Sequence, residues 1–166
     1  MKIAILSDVH DNIWKLEEVL KQLDGTDALL FCGDFCAPFT LAAIAGGFPG
    51  PVHVVFGNND GDKWLLTKVA NKAGNVTIHG AFASIELEGR RIAITHYPEI
   101  AAGLASAGIA TGGLYDLVCC GHDHTRRIER VGDCLKVNPG EVMGRFGVSS
   151  YAVYDTETGE AEIVEV

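Results

Sequence analysis

The 166 residues carry 22 acidic and 13 basic side chains, a formal net charge of −9, and 48% of them are apolar. This length predicts one domain over residues 1–166, and an acidic chain without a basic patch opposes general binding to nucleic-acid backbone. No apolar run is long enough to cross a membrane, and Asp8 and Asp11 interrupt the segment where a signal peptide would still be apolar.

The first half of the chain alternates strand and helix patterns. Nearly continuous apolar runs, typical of strands covered on both faces, lie at 2–7, 28–32 and 51–56. Apolar residues at helical spacing predict helices at 12–25, 38–47 and 62–74. Asn12 is expected to cap the first helix and Gly25 to end it.

The second half is richer in hairpins. The segment 83–96 predicts a hairpin that turns at Glu88–Gly89, followed by a helix at 98–108 and a strand at 115–120. Two more hairpins are expected to turn at Gly132–Asp133 and around Thr158–Gly159. The pattern indicates a layered α/β fold with mixed sheets, and no large apolar stripe is apparent on its surface.

The five cysteines predict free thiols. Their number is odd, and Cys119 and Cys120 are adjacent within an apolar strand. This pattern favours buried thiols in a reducing compartment over a disulfide framework. We therefore expect a cytoplasmic protein that does not bind membranes.

Polar side chains follow strand after strand. Ligands bind outside the carboxyl ends of strands in open α/β sheets, so these side chains are expected to converge on one rim. They are Asp8, His10, Asp34, Asn58, His96, His122 and His124.

Imidazole, carboxylate and amide ligands without thiolate suit Zn, Mn, Fe, Ni or Co better than Ca. Seven ligands suit two ions about 3.5–4 Å apart that share a bridge.

Taken singly, Asp8 could be a cap, Asp34 a turn residue and His96 an interior histidine. His53 and His79 lie away from strand ends and are expected to be structural.

Five short blocks, in order, resemble those of the calcineurin-like metallophosphoesterases. They are "DVH" at 8–10, "GD" at 33–34, "GNND" at 57–60, "TH" at 95–96 and "GHDH" at 121–124. Within that superfamily the chain resembles the small single-domain phosphodiesterase branch of bacteria and archaea, whose N-P-G-S turn is similar to "NPGE" at 138–141. The resemblance implies a four-layer αββα sandwich of two mixed β-sheets flanked by helices.

The resemblance also implies a ligand set for two divalent transition-metal ions, with manganese first and nickel, zinc, iron or cobalt as alternatives. One ion would take Asp8, His10, Asp34 and His124. The second would take Asp34, Asn58, His96 and His122, with Asp34 as the bridge. Metal-bound hydroxide would attack a small phosphodiester substrate, and the residues assigned to catalysis are Asp34, Asn59 and His96.

Three positions depart from the family pattern. Asn59 replaces the usual histidine, and because an amide cannot act as a general acid, we expect a preference for good leaving groups such as aryl esters. Asp11 replaces a common glycine, either to oppose a second anionic group or as a helix N-terminal aspartate. Glu141 replaces the serine of the N-P-G-S turn and leaves the role of that loop open.

Other functions stay open at this stage. Because position 59 lacks the usual histidine, a scaffold that binds partners through its surface, like the retromer subunit built on this fold, is an alternative to an enzyme. A phosphomonoesterase is a further alternative, because a metal pair alone does not distinguish monoesters from diesters. A nuclease is weakened by the net charge, and homo-oligomer formation is left open.

Overall fold

The computed structural model describes residues 1–166 and contains eleven strands, four α-helices and a 3-10 turn at Ile109–Thr111. The strands are β1 (Lys2–Leu6), β2 (Ala28–Phe31), β3 (Val52–Val54), β4 (Val76–Ile78), β5 (Phe82–Leu87), β6 (Arg90–Thr95), β7 (Leu117–Cys119), β8 (Arg127–Val131), β9 (Cys134–Asn138), β10 (Ser150–Asp155) and β11 (Glu160–Glu165). The helices are α1 (Ile13–Leu20), α2 (Pro38–Gly47), α3 (Lys63–Ala73) and α4 (Pro98–Ser106). None of these helices combines the length and apolar character needed to cross a bilayer.

The strands form two mixed sheets, as expected. The first has six strands in the order β11-β10-β1-β2-β3-β4, in which β1 to β4 are parallel and β10 runs antiparallel to β1. The second has five strands in the order β5-β6-β7-β9-β8, with β6, β7 and β9 parallel. The carboxyl ends of the parallel strands carry the loops in which the predicted ligands lie.

Side-chain alternation along the strands builds the layers. Ala4 and Leu6 of β1 pack against α1, α2 and α3, whereas Ile3 and Ile5 face the second sheet and form the core between the sheets. On the far side of the second sheet, Ala101 of α4 completes a small third cluster. The result is the predicted order of helix, sheet, sheet and helix.

Two element predictions were wrong in detail. Helix α1 ends at Leu20 and not at Gly25, because the amides of Gln22 and Leu23 bond to carbonyls three residues back and tighten the chain into turns. Strand β4 was missed, since none of its three residues is fully buried and they pair only with β3 at the sheet edge. Asn12 does cap α1, accepting a hydrogen bond from the amide of Lys15.

Aromatic side chains are exposed along the outer helical layer, where no apolar stripe was expected. Trp14, Phe39 and Trp64 are 73%, 56% and 67% exposed. Each is the second residue of its helix, and these helices follow β1, β2 and β3. The three residues are widely spaced in the chain, so no local sequence pattern groups them.

Candidate metal centre

Loops from both sheets bring all seven predicted ligands together. Asp8, His10, Asp34 and Asn58 follow β1, β2 and β3 of the first sheet, and His96, His122 and His124 follow β6 and β7 of the second. The site therefore lies at the seam between the two sheets, at the carboxyl ends of their parallel strands.

One group of ligand atoms surrounds Asp8. The Nε2 atom of His10 lies 3.6 Å from Oδ1 of Asp8 and 3.7 Å from Oδ2 of Asp34. The Nε2 atom of His124 lies 3.6 Å from the same Asp8 oxygen. The rings of His10 and His124 stack with their centroids 5.2 Å apart.

A second group surrounds His96. Its Nε2 atom lies 3.3 Å from Oδ2 of Asp34, 3.1 Å from Oδ1 of Asn58 and 3.2 Å from Nδ1 of His122. Oδ2 of Asp34 thus faces both groups, the position expected of a bridging carboxylate.

These separations fit metal coordination. Ligands bonded at about 2.1 Å in a tetrahedral site lie roughly 3.4 Å from each other, close to the distances above. Oδ1 of Asp8 and Nε2 of His10 are buried and have no hydrogen-bond partner. A buried carboxylate oxygen without a partner is costly unless an ion completes it.

Negative charge without a lysine or arginine partner supports the same conclusion. Four carboxylates, Asp8, Asp34, Asp60 and Glu141, are buried within this region. None of them pairs with a lysine or arginine, because every basic ion pair of the chain joins other acidic residues. Divalent ions would neutralise this charge, so the residues fit the metal pair that the sequence predicted.

Hydrogen bonds fix which nitrogen of two imidazoles faces the centre. Nδ1–H of His96 donates to the Cys32 carbonyl at 2.7 Å, which leaves Nε2 toward Asp34. Nδ1–H of His124 donates to Oε2 of Glu141 at 2.8 Å, which leaves Nε2 toward Asp8. Such outer partners orient metal-binding histidines and raise their basicity.

Glu141 has a second set of contacts. Its Oε1 atom accepts hydrogen bonds from the amides of Phe146 at 2.6 Å and Gly147 at 2.8 Å. The departure from the N-P-G-S turn therefore links a ligand histidine to the loop between β9 and β10. No role for Glu141 was predicted from the sequence.

Asp60 is a second residue for which no role was predicted from the sequence. Its Oδ2 atom accepts from the amides of Asp34 and Gly57, and its Oδ1 atom accepts from the amide of Cys36. The buried carboxylate thereby ties the loop after β2 to the loop after β3. Its place as the last residue of the "GNND" block was the one sign in the sequence that Asp60 belongs to the site.

Asn59, which the sequence analysis assigns to catalysis, contacts Asp34, the predicted bridging carboxylate. Its backbone amide donates to Oδ1 of Asp34 at 2.8 Å, and its side-chain amide donates to Oδ2 at 2.7 Å. One side-chain N–H is engaged in this way, and an amide nitrogen has a second N–H to offer.

Asp11 caps a helix other than its own. Its Oδ1 atom accepts from the Ala37 amide at 2.9 Å and from the Thr40 hydroxyl at 2.6 Å, at the start of α2. This contact agrees with the expectation of a helix N-terminal aspartate, although the helix is α2 and not α1. Both bonds turn the carboxylate oxygen toward α2.

The backbone of the site is unusual. Five of the seven predicted ligands have positive φ values between 44° and 74°, a region that non-glycine residues rarely occupy. They are Asp8, His10, Asp34, His122 and His124. Such strain is concentrated at functional sites, where the surrounding structure enforces it.

Close packing next to the ligands requires glycine at two positions. A side chain at Gly57 would collide with the carboxylate and amide of Asp34. A side chain at Gly121 would collide with Ser7 and would lie 2.6 Å from Oδ2 of Asp8. These glycines let neighbouring loops approach within hydrogen-bond distance of the ligands.

Carboxylates and imidazoles stabilise each other's charged forms. Burial raises the pKa of Asp34, but hydrogen bonds from His96 and Asn59 outweigh burial and hold the pKa well below its usual range. Burial lowers the pKa of His96, but the contact with Asp34 and the charge of Asp8 outweigh burial, so the pKa lies above its ordinary value. The contact with Asp8 raises the pKa of His10 against burial.

Comparison with known proteins gives consistent matches. The family model of the calcineurin-like phosphoesterase superfamily domain matches residues 1–159. A phosphodiesterase of Methanocaldococcus jannaschii is 33% identical over 165 residues, covering 96% of each chain. The solved structure of an archaeal phosphodiesterase superposes over the full length of both chains with a TM-score of 0.89 and 30% identity.

The fold also matches a more distant protein. A single mutant of Vps29 from Entamoeba histolytica superposes with a TM-score of 0.69, covering 100% of this chain and 99% of that one, at 18% identity. At this identity the likeness concerns the fold alone.

Proposed function

This chain belongs to the calcineurin-like phosphoesterase superfamily, and on that premise we propose that it is a phosphodiesterase that hydrolyses small phosphodiesters with two divalent metal ions. The observation that carries the proposal is the set of buried carboxylates, none paired with a basic side chain, beside four histidines and an amide at the seam of the sheets.

Each ion has its own set of ligands in this proposal. Asp8, His10, Asp34 and His124 would hold the first ion, and Asp34, Asn58, His96 and His122 the second. Divalent ions at such a site polarise a phosphoryl oxygen and lower the pKa of water from 15.7 toward about 7. The hydrogen bond to Cys32 keeps Nε2 of His96 directed at the ligands.

Asn59 is proposed to contact the substrate. With one side-chain N–H on Asp34, the other can donate to an equatorial phosphate oxygen, where negative charge is stabilised as the leaving group departs. The amide of Asn59 cannot protonate the leaving group. The proposal therefore includes a preference for esters of acidic alcohols, such as aryl esters.

The test is hydrolysis of bis-aryl and mono-aryl phosphates by metal-stripped protein to which Mn, Ni, Zn or Mg is restored separately. We expect activity to return with a transition metal, manganese first, and to be higher on the diester. In Asp34→Ala and His122→Ala we expect no restored activity. His79→Ala, a histidine outside the centre, serves as the matched control and should retain it.

Activity that persists in both Asp34→Ala and His122→Ala would refute the proposal. Higher activity on the monoester would favour the phosphomonoesterase alternative over the diesterase. Both outcomes are read from the same assay.

A partner-binding scaffold is the second candidate. The exposed Trp14, Phe39 and Trp64 favour it, because aromatic residues are enriched at protein interfaces. The complete ligand set weighs for the enzyme, and a scaffold without metal chemistry would show no restored activity in the assay above.

A cytoplasmic location is part of the proposal. All five cysteines are free thiols, as is usual in a reducing compartment. Burial raises the pKa of Cys36 and Cys120 to about 12 and of Cys134 to about 11, so these thiols stay protonated and unreactive at neutral pH.

A further inference from the structure

We propose that a cavity beside His124 binds the substituent that stays on phosphorus after hydrolysis, and that this substituent is a planar aromatic group which stacks on Phe146. The inference rests on the proposed phosphodiesterase function and defines its substrate class. A diester differs from a monoester by this second substituent, which must lie next to the metal centre.

The cavity shares one residue, His124, with the candidate metal centre. Its volume is about 380 Å³, and His124 forms part of its wall together with Phe146 and Val148. Since Nε2 of His124 faces Asp8, a group in this cavity would be separated from the proposed metal position by one imidazole ring. A substituent of a phosphate at that position would need to extend past this one ring to enter the cavity.

Phe146 offers an aromatic face. Its side chain is 71% exposed, and its ring meets that of His124 edge to face, with the centroids 5.2 Å apart. Aromatic rings are favourable partners for other aromatic rings and for nucleobases, which stack on them with little dependence on base type. An exposed phenyl ring at this place is thus suited to a planar substituent.

The loop that carries Phe146 is held in place by buried groups. Glu141 accepts hydrogen bonds from the amides of Phe146 and Gly147, and the Ser149 hydroxyl donates to the Val142 carbonyl at 2.7 Å. Because the backbone is fixed by these bonds, less conformational freedom is lost when a ligand binds. The cavity is in this sense preformed.

The charges of the lining fit a neutral ring. The seven residues of the cavity wall include no carboxylate, and its one cation, Arg126, is paired with Glu165 at 2.8 Å. The diester's single negative charge belongs on phosphorus at the metal centre. Arg145, which is not part of the wall, places its guanidinium carbon 5.4 Å from the centroid of the Phe146 ring, where it can stack on the same aromatic group. An uncharged aryl group or nucleoside therefore fits this lining.

The experiment compares diesters that share one leaving group, 4-nitrophenolate. The retained groups are ethyl, 4-nitrophenyl and thymidine. For Phe146→Ala we expect kcat/KM to fall about five- to tenfold on the aromatic diesters relative to the ethyl diester, mainly through KM. Phe146→Leu, which keeps apolar volume without an aromatic face, should show most of this loss.

Ile109→Ala is the matched control. Ile109 is exposed but lies in the turn between α4 and β7, at the other end of the second sheet. The ratios of kcat/KM between the aromatic diesters and the ethyl diester should therefore be the same in Ile109→Ala as in the wild type. A larger loss on the thymidine ester would identify the ring as a nucleobase, and a larger loss on the bis-aryl ester would identify a simple aryl group. Either supports the inference.

Equal losses on all three diesters, or no loss, would overturn it. A wild-type protein that hydrolyses none of the diesters with restored metal would instead overturn the proposed function. The two failures are therefore distinguishable.

Discussion

Glu141 shows how one buried side chain can organise two parts of a site. One carboxylate oxygen accepts from His124 and the other accepts from the amides of Phe146 and Gly147. The serine of the related N-P-G-S turn has one oxygen on a shorter side chain and could not make both sets of bonds. In the proposed site Glu141 would be a positioning residue, which would act on metal through His124.

We expect Glu141→Gln to weaken metal binding by about 10- to 100-fold, because the histidine loses an anionic partner that raises its basicity. Calorimetric titration of Mn²⁺ into metal-stripped protein measures this. Glu165→Gln, an exposed residue that pairs with Arg126, is the control and should bind as the wild type does. Equal affinity in Glu141→Gln would show that the contact is only structural.

Asn59→His should relax the dependence on the leaving group. An imidazole can act as a general acid, which is worth roughly 10²–10⁴ in rate, and alkyl leaving groups need that help more than aryl ones. We expect the alkyl-to-aryl ratio of kcat/KM to rise by at least about tenfold. Asn59→Gln, which also disturbs the contact with Asp34 but adds no acid, should leave the ratio unchanged, and an unchanged ratio in Asn59→His would contradict the prediction.

That the seven candidate ligands lie together could be predicted, because each follows a strand and the chemistry of each side chain is visible in the sequence. The roles of Glu141 and Asp60 could not, since their bonds join loops that are distant in the chain. Nor could the helix that Asp11 caps be predicted, because its bonds to Ala37 and Thr40 depend on how β1 and β2 pair.

At the scale of elements, strands buried on both faces were predictable and short edge elements were not. Strand β4 is short and only partly buried, so its segment carries little apolar signal. It pairs in parallel with β3, and the pairing brings Nδ1 of His53 to 3.0 Å from Nε2 of His79. Both histidines are structural in this arrangement, as the sequence predicts.

This histidine pair should make stability depend on pH. Burial lowers the pKa of both, and for His53 the neighbouring His79 lowers it further. The unfolded chain therefore binds more protons near and below the ordinary value of 6.5, so the pair's contribution is complete above that pH and is lost as the pH falls through the lowered values.

Urea unfolding from pH 8 to pH 5 measures the effect. Replacing both residues, in His53→Gln/His79→Gln, should make the free energy of unfolding fall less on acidification than it does in the wild type. The comparison cancels the contributions of the other histidines, which both proteins share. Parallel curves would refute the prediction.

At the scale of the molecule, the candidate metal centre lies between the two sheets. Four of the predicted ligands belong to loops of the first sheet and three to loops of the second. Unfolding or separating the sheets would dismantle the ligand set, so ions that bind the folded chain stabilise it. The layered fold could be predicted from the family resemblance, but this coupling depends on where the loops meet.

We expect metal to raise the melting temperature. An ion present at a hundredfold excess over its Kd adds about 2.7 kcal/mol to the free energy of unfolding, which corresponds to roughly 5–10 °C for a chain of this size. Calorimetric scans of metal-stripped protein with and without Mn²⁺ would measure the shift. Asp34→Asn should abolish most of it, and an equal shift in that variant would place the stabilising ion elsewhere.

Five residues of the site have left-handed backbone, and this conformation limits the substitutions that each position tolerates. They are Asp8, His10, Asp34, His122 and His124. In a saturation library selected only for soluble expression, glycine and asparagine would be enriched at these codons and valine and isoleucine depleted, before any selection for turnover. A relative that has lost its catalytic activity is therefore expected to carry glycine or asparagine at these positions.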